Sequence, residues 1–198
     1  MLLNTAAVIT SGLGMVSNIQ ESTEENIGVA REMCGLQLWN EVLAFAQQWH
    51  LNDPTDWNAL HYIGIGFSGL KQFRKAESAY RQALSINPLA VKIWNNLAGI
   101  LFEHLNCQKE GIRCMEQSLK IDSRHKVGWS NLATMCGRLG EYENVIIYAE
   151  KAIALDAEFV EAHLLKGRAA LALGKMDLVK DACQKLSSIK PEKFLRTT

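Results

Sequence analysis

The stretches WNNLA at residues 94–98 and WSNLA at residues 129–133 contain nearly the same five letters, 35 positions apart. A motif that recurs at an interval of about 20–50 residues is typical of a chain built from stacked copies of one small unit. Each copy has a tryptophan, an asparagine two positions later, and then Leu-Ala. The repetition raises the question of which of these residues are needed for packing and which for function.

Other residues recur with the same period. Pro54 and Pro88 are 34 residues apart, and Pro191 falls three further steps along the chain. A series of small residues has steps of 34 or 35 and consists of Gly64, Ala98, Ala133 and Gly167. Small residues allow two helices to approach closely, and proline cannot continue a preceding helix. The periodicity therefore predicts repeated pairs of helices, each pair ending near a proline position.

These units resemble the tetratricopeptide repeat (TPR), whose signature is aromatic–x–x–Leu–Gly–x–x–Tyr, followed by Ala, Phe, Ala and Pro. The clearest unit is residues 57–88, which matches the signature at Leu60, Ile63, Gly64, Phe67, Ala76, Tyr80, Ala83 and Pro88. Further units are expected at residues 91–123, 126–157 and 160–191, with a degenerate unit at 23–54. The unit at 91–123 has one extra residue, expected in the turn near residues 105–108.

The resemblance implies an all-α fold, a right-handed α-solenoid of antiparallel helix pairs that spans residues 23–191. In such arrays the first helix of each pair lines the concave surface, and neighbouring units share one continuous core. Residues 1–22 are expected to form a leader, disordered or weakly helical, and residues 192–198 a short tail. Because the tail is too short for a capping helix, the last repeat either exposes an apolar edge or has it covered by a partner or a second copy.

The composition argues against several classes of function. Lys and Arg number 21, as do Asp and Glu, so no net charge would attract nucleic acid or an anionic membrane. No window is apolar over the ~18 residues that a membrane span needs. Five cysteines without framework spacing favour buried, reduced thiols in the cytoplasm. Export by means of the uncharged leader is the less favoured alternative.

GIGFSG at residues 64–69 matches the dinucleotide-binding pattern G-x-G-x-x-G. That pattern requires a strand before it and an acidic residue about 20 positions later. Here the repeat places Gly64 and Phe67 inside a helix, so the glycines are expected to serve close helix packing or to leave room in the groove. The sequence has no metal-ligand spacing and no catalytic signature. It predicts neither a cofactor nor a metal, and a protein that is not an enzyme.

Asn96 and Asn131 are the candidate functional residues of the repeated motif. Asparagine is a mediocre residue in a helix interior, and its amide offers a donor and an acceptor together. The resemblance to TPR arms that hold peptide backbones with asparagines implies a peptide contact, and the alternative is a solvated or inter-helix hydrogen bond. The whole predicted peptide-binding set comprises Asn58, His61, Tyr62, Lys92, Asn95, Asn96, Ser130, Asn131, Arg138 and Arg168.

When the repeats are aligned, their residues do not reproduce the carboxylate clamp of TPR proteins that bind acidic chaperone tails. The Lys–Asn and Lys–Arg pairs of that clamp are missing when either Asn96 or Asn131 is taken as the centre. The sequence therefore predicts a scaffold or adaptor that binds a protein or peptide segment in its concave groove. The alternatives are a self-assembling structural subunit that forms homo-oligomers through its terminal repeats, and a regulatory partner of an enzyme on another chain.

Overall fold

The computed structural model describes residues 23–189, and every regular element within them is an α-helix. The predicted leader at 1–22 and the tail at 192–198 lie outside the described residues. The ten helices are α1 (Thr23–Gly35), α2 (Trp39–Asn52), α3 (Trp57–Gly69), α4 (Phe73–Ile86), α5 (Val91–Glu103), α6 (Gln108–Ile121), α7 (Lys126–Arg138), α8 (Tyr142–Leu155), α9 (Val160–Ala172) and α10 (Met176–Ser188). The prediction of an all-α solenoid is confirmed.

The helices form five consecutive pairs, from α1 with α2 to α9 with α10. We call the odd-numbered helix of each pair the first helix and the even-numbered one the second helix. Each second helix also packs on the first helix of the next pair, so every pair is joined to its neighbours. This chain of local contacts builds one main apolar core that runs from α1 to α10. Such an arrangement is stabilised by the interfaces between pairs as much as by each pair itself.

The turns inside the pairs share one backbone feature. Four turns have three residues, and the middle residue has a positive φ, which is 57° at Gln37, 59° at Lys71, 77° at Gly140 and 68° at Gly174. The turn between α5 and α6 has four residues, 104–107, with Asn106 at φ 56°. It therefore holds the extra residue expected near 105–108. Glycine tolerates this conformation best, which explains its use in two of the five turns.

The three glycines of GIGFSG lie in α3 and allow neighbouring helices to come close. A Cβ atom at Gly64 would lie 2.3 Å from the Tyr80 ring, and one at Gly69 would lie 2.2 Å from the Trp39 ring. At Gly66 it would lie 3.1 Å from a side chain of α2 and 3.2 Å from the backbone of that helix. Packing explains all three glycines, and the helical setting differs from the strand–turn–helix of a dinucleotide site.

The large ring side chains of the repeated motif also contact the backbone of the turn that precedes their helix pair. The indole Nε1 of Trp94 donates to the carbonyl oxygen six residues earlier, at 2.8 Å. Nε1 of Trp129 makes the equivalent bond at 2.9 Å, and Nε2 of His163 lies 2.9 Å from the equivalent oxygen. These residues combine packing with a polar contact that ties a first helix to the segment before it, which explains why a ring with an N–H group recurs at this position.

All five cysteines are free thiols. Cys114 and Cys136 are buried, Cys34 and Cys107 are half-buried, and Cys183 is exposed. Burial raises the pKa of Cys114 to about 11 and that of Cys136 to about 12, with nearby glutamates adding to both shifts. The expectation of buried thiols therefore holds for the core positions and is wrong for Cys183.

Candidate functional site

Three consecutive first helices, α5, α7 and α9, keep one face open to solvent. The open positions follow the spacing of one helix face, with steps of three or four residues. We call this set the first-helix face, and its members are Lys92, Asn96, Gly99, Glu103, Val127, Asn131, Thr134, Arg138, Glu161, Leu165, Arg168 and Ala172. All are exposed except Asn96, Gly99 and Leu165, which are half-buried.

The first-helix face does not continue onto α3. Tyr62 occupies the position equivalent to Asn96 and Asn131, but it is buried, and its hydroxyl donates to the backbone oxygen of Ile27 in α1 at 3.4 Å. The side chain of Asn58 donates to Asp56 at 2.8 Å at the start of the helix. Helix α1 therefore covers α3, and the open face begins at α5.

Asn96 is engaged between two first helices. Its Nδ2 lies 3.1 Å from Nε2 of His61 in α3, and its side chain also hydrogen-bonds the buried Tyr80. Burial raises the pKa of Tyr80, so its phenol stays protonated. Burial lowers the pKa of His61 to about 4, and the positive charge of Lys92 adds to that shift. His61 is therefore neutral at physiological pH and can accept a hydrogen bond from the Asn96 amide.

Asn131 occupies the equivalent position on α7 but does not bond a neighbouring first helix. Its side chain is exposed and forms no side-chain hydrogen bond with any of residues 23–189. By the repeat alignment, its neighbour on the preceding first helix is Asn95, the counterpart of His61. The Oδ1 atom of Asn95 is buried without a hydrogen-bond partner, so the bridge between α3 and α5 is not repeated between α5 and α7. The Asn131 amide is free to contact another molecule.

Three predicted contact residues are buried and are removed from the candidate set. Ser130 has no exposed surface, and its Oγ lacks a partner among the described residues. Tyr62 is 7% exposed and His61 8%, because α1 and α5 pack beside them. The pattern of polar residues alone did not reveal this burial, which depends for Tyr62 on how the degenerate first pair packs on the second and for Ser130 on the packing around α7.

The charges on the first-helix face are mixed. Arg138 forms an ion pair with Glu103 on the neighbouring first helix, and its guanidinium lies 5.1 Å from the centre of the Phe102 ring. Lys92, Arg168 and Glu161 are exposed. The resulting surface has three basic and two acidic side chains, with one of each already paired. Such a surface suits polar and weakly acidic segments better than a strongly charged one.

A family model described as "Tetratricopeptide repeat" matches residues 67–88 and 128–159. The chain therefore contains tetratricopeptide repeats. The first match covers the end of α3 together with α4, and the second covers α7 and α8. No curated protein matches the sequence.

Solved TPR structures share this fold at low sequence identity. The C-terminal part of a TPR repeat-containing protein from Cytophaga hutchinsonii has a TM-score of 0.78 at 16% identity, covering 94% of this chain and 74% of that chain. The crystal structure of MamA protein has a TM-score of 0.74 at 14% identity, covering 91% and 98%. YrrB, described as "a TPR protein with an unusual peptide-binding site", has a TM-score of 0.69 at 13% identity, covering 94% and 94%.

Gly99 is one of the residues of the first-helix face that are absent from the predicted peptide-binding set. A Cβ atom there would meet nothing within 4 Å, unlike one at Gly64. A glycine inside a helix costs up to about 1 kcal/mol relative to alanine, and here no helix packing explains it. The first-helix face also includes Val127, Thr134 and Leu165, which are absent from the predicted peptide-binding set. Steps of three or four residues from Asn96 and Asn131, and one repeat length from Asn131 to Leu165, would have found them.

The described part of this TPR chain offers no grouping of three or more His, Cys, Asp or Glu side chains that could hold a metal ion. Within residues 23–189, no helix combines the length and apolar character needed to cross a membrane.

Proposed function

We propose that this TPR protein is a non-enzymatic scaffold that binds an extended segment of a partner protein along the first-helix face of α5, α7 and α9. The observation that carries the proposal is the exposed, unpaired amide of Asn131 in the middle of α7. Asparagine weakens a helix interior because its amide competes for backbone hydrogen bonds. A hydrogen bond to a partner protein would explain why an asparagine without an internal hydrogen bond occurs inside α7.

The surroundings of Asn131 support a peptide backbone as the occupant. Gly99 on α5 leaves open space where any other residue would place a side chain. Lys92 and Arg168 are exposed at either side of the face and can contact acidic side chains. In this arrangement the Asn131 amide bonds a peptide group, Gly99 permits close approach, and the charged residues select the sequence.

One related observation comes from the structural neighbours. YrrB, similar in fold over 94% of this chain, is described as having an unusual peptide-binding site. Peptide binding on a TPR scaffold of this size therefore has a precedent, although the residues that do it here have to come from this chain.

The test is affinity capture from cells of the source organism, followed by mass spectrometry. Three baits are compared: the parent chain, Asn131→Ala, and Asn40→Ala as a matched control at an exposed helical asparagine of α2. We expect one or more proteins to be retained by the parent and by Asn40→Ala and to be depleted on Asn131→Ala. Identical protein sets on all three baits would contradict the proposal.

A second candidate function is self-assembly, favoured by the last pair of helices. Leu164 and Leu171 of α9 are 47% and 60% exposed, whereas the equivalent Ser130 of α7 and Phe102 of α5 are 0% and 3% exposed. None of residues 23–189 covers these leucines. We expect light scattering over a concentration series to show association of the parent chain. The double variant with Leu164→Gln and Leu171→Gln should remain monomeric. A parent chain that stays monomeric at every concentration would rule this candidate out.

A further inference from the structure

A cleft of about 540 Å³ lies between the second helices α2 and α4. Its floor is formed by Leu60, Ile63 and Phe67 of α3, and its walls include Leu51 of α2 and Ala79 of α4. These floor residues alternate along α3 with positions 58, 62 and 65, the counterparts of the first-helix face, so the cleft faces away from that surface. The volume falls within the range of about 300–1,000 Å³ that is usual for ligand sites.

The cleft is apolar at its floor and has an exposed apolar side chain at its edge. Leu51 is 74% exposed, the highest value among the large hydrophobic side chains of the described residues. A single exposed leucine is common on protein surfaces. Here, however, it stands beside an open apolar cleft, so a side chain entering the cleft would cover Leu51 and the half-buried Phe67 while it packs on the already buried Leu60 and Ile63.

The polar groups at the cleft favour an acidic ligand. Nζ of Lys75 lies 5.4 Å from the centre of the Phe67 ring, above the floor. Lys75 forms no ion pair with any of residues 23–189, and Glu77, two positions along α4, pairs with Arg74 and Arg81 instead. No Asp or Glu lines the cleft.

A histidine at the cleft wall also lacks a partner. Nδ1 of His50 is buried and forms no hydrogen bond with the described residues. A buried polar atom without a hydrogen bond costs about 1–3 kcal/mol. Because this nitrogen has no exposed surface, it is not counted as a ligand contact, and the contact with an acidic group falls to Lys75.

We propose that this cleft is a second docking site, for a segment of a partner protein in which a bulky apolar side chain adjoins an acidic one. The apolar side chain packs on Leu60, Ile63 and Phe67, and the carboxylate pairs with Lys75. The site shares no residue with the first-helix face, so the proposal is independent of the function proposed for that face. A TPR scaffold with two such sites can hold two segments at once, one on each side of the array.

The test is titration of the ¹⁵N-labelled full chain with the capped peptide acetyl-Leu-Phe-Asp-amide, followed by NMR chemical shifts. The matched peptide acetyl-Leu-Phe-Asn-amide has the same shape without the charge. We expect shifts clustered at Leu51, Leu60, Phe67 and Lys75, and an affinity for the acidic peptide about two- to fivefold higher than for the neutral one.

Two pairs of variants separate the polar and the apolar contributions without disturbing the core. Lys75→Gln should weaken binding of the acidic peptide about two- to fivefold, while Lys109→Gln on α6, an exposed lysine elsewhere, leaves it unchanged. Leu51→Ala should weaken binding about threefold, while Leu89→Ala, at a leucine that is 69% exposed, has no effect.

Three outcomes would overturn the proposal. They are no shifts up to about 5 mM peptide, equal affinities for the two peptides, and shifts confined to the first-helix face. Asn131→Ala tests the first-helix face alone, because this substitution should leave binding of the peptide at the cleft unchanged. A failure at one site is therefore distinguishable from a failure at the other.

Discussion

Nδ2 of Asn96 lies 3.1 Å from Nε2 of His61, so the two residues link consecutive first helices across 35 positions of sequence. This bond makes Asn96 part of the interface between α3 and α5. Asn131, which has the same place in its own repeat, has no such bond within the described chain. Two asparagines that look alike in sequence therefore have different roles, one in the interface between pairs and one on an open surface.

The His61–Asn96 bond predicts a pH dependence of stability. Burial lowers the pKa of His61 to about 4, while an exposed histidine in the unfolded chain has a pKa near 6.5. Between these values the unfolded state binds more protons than the folded state, so stability is complete above pH ~6.5 and falls as the pH decreases towards 4. The full loss attributable to His61 is roughly 3 kcal/mol.

The measurement is urea unfolding of the parent and of His61→Gln at several pH values from 7.5 to 4. Glutamine keeps a neutral acceptor for Asn96 and cannot take up a proton in this range. We expect the stability of the parent to fall more steeply than that of the variant. Parallel curves for the two proteins would contradict the assignment of this pH dependence to His61.

Replacement of Gly99 by alanine should stabilise the fold. Alanine favours a helix interior by up to about 1 kcal/mol over glycine, and a Cβ atom at this position has open space within 4 Å. The matched control is Gly64→Ala, whose Cβ would lie 2.3 Å from the Tyr80 ring and should cost about 1–3 kcal/mol. Thermal unfolding of both variants is the measurement. If Gly99→Ala were as destabilising as Gly64→Ala, this would contradict the finding that the space around Gly99 is open.

Trp94→Phe should lose the bond from Nε1 to the Pro88 carbonyl while it keeps most of the ring. The 2.8 Å bond contributes about 0.5–1.5 kcal/mol, to which the smaller buried area of phenylalanine adds. Trp57→Phe is the control, because Trp57 is also half-buried but its indole makes no such bond with the described residues. Equal losses of unfolding free energy in the two variants would show that the hydrogen bond contributes nothing measurable.

The sequence allowed the fold to be predicted because each repeat encodes its own local geometry. The spacing of Gly64, Ala98, Ala133 and Gly167 follows from the need of two helices to approach closely, and this is visible without any long-range information. The extra residue of the third pair was also predictable, since the series shifts from 34 to 35 there. It lies in the four-residue turn 104–107.

The site was less predictable because burial on a solenoid depends on the neighbouring pair. Tyr62 has the same phase as Asn131, yet it is buried under α1, a helix whose sequence matches the repeat only weakly. The bond between His61 and Asn96 joins residues of two repeats, and no motif within one repeat predicts it. The helical spacing could have placed Gly99 on the first-helix face, but only the structure shows that the space around it is open.

The central claim is that the open amide of Asn131 binds a partner while that of Asn96 stabilises the fold. The most direct test measures partner affinity and unfolding free energy for Asn131→Ala, Asn96→Ala and the control Asn40→Ala, using the partner captured by the parent chain. We expect Asn131→Ala to weaken the partner at least about tenfold and to change stability by less than about 0.5 kcal/mol. Asn96→Ala should cost about 1–3 kcal/mol of stability, because it leaves buried His61 and Tyr80 without a partner. An Asn131→Ala protein that binds the partner as tightly as the parent would contradict the account.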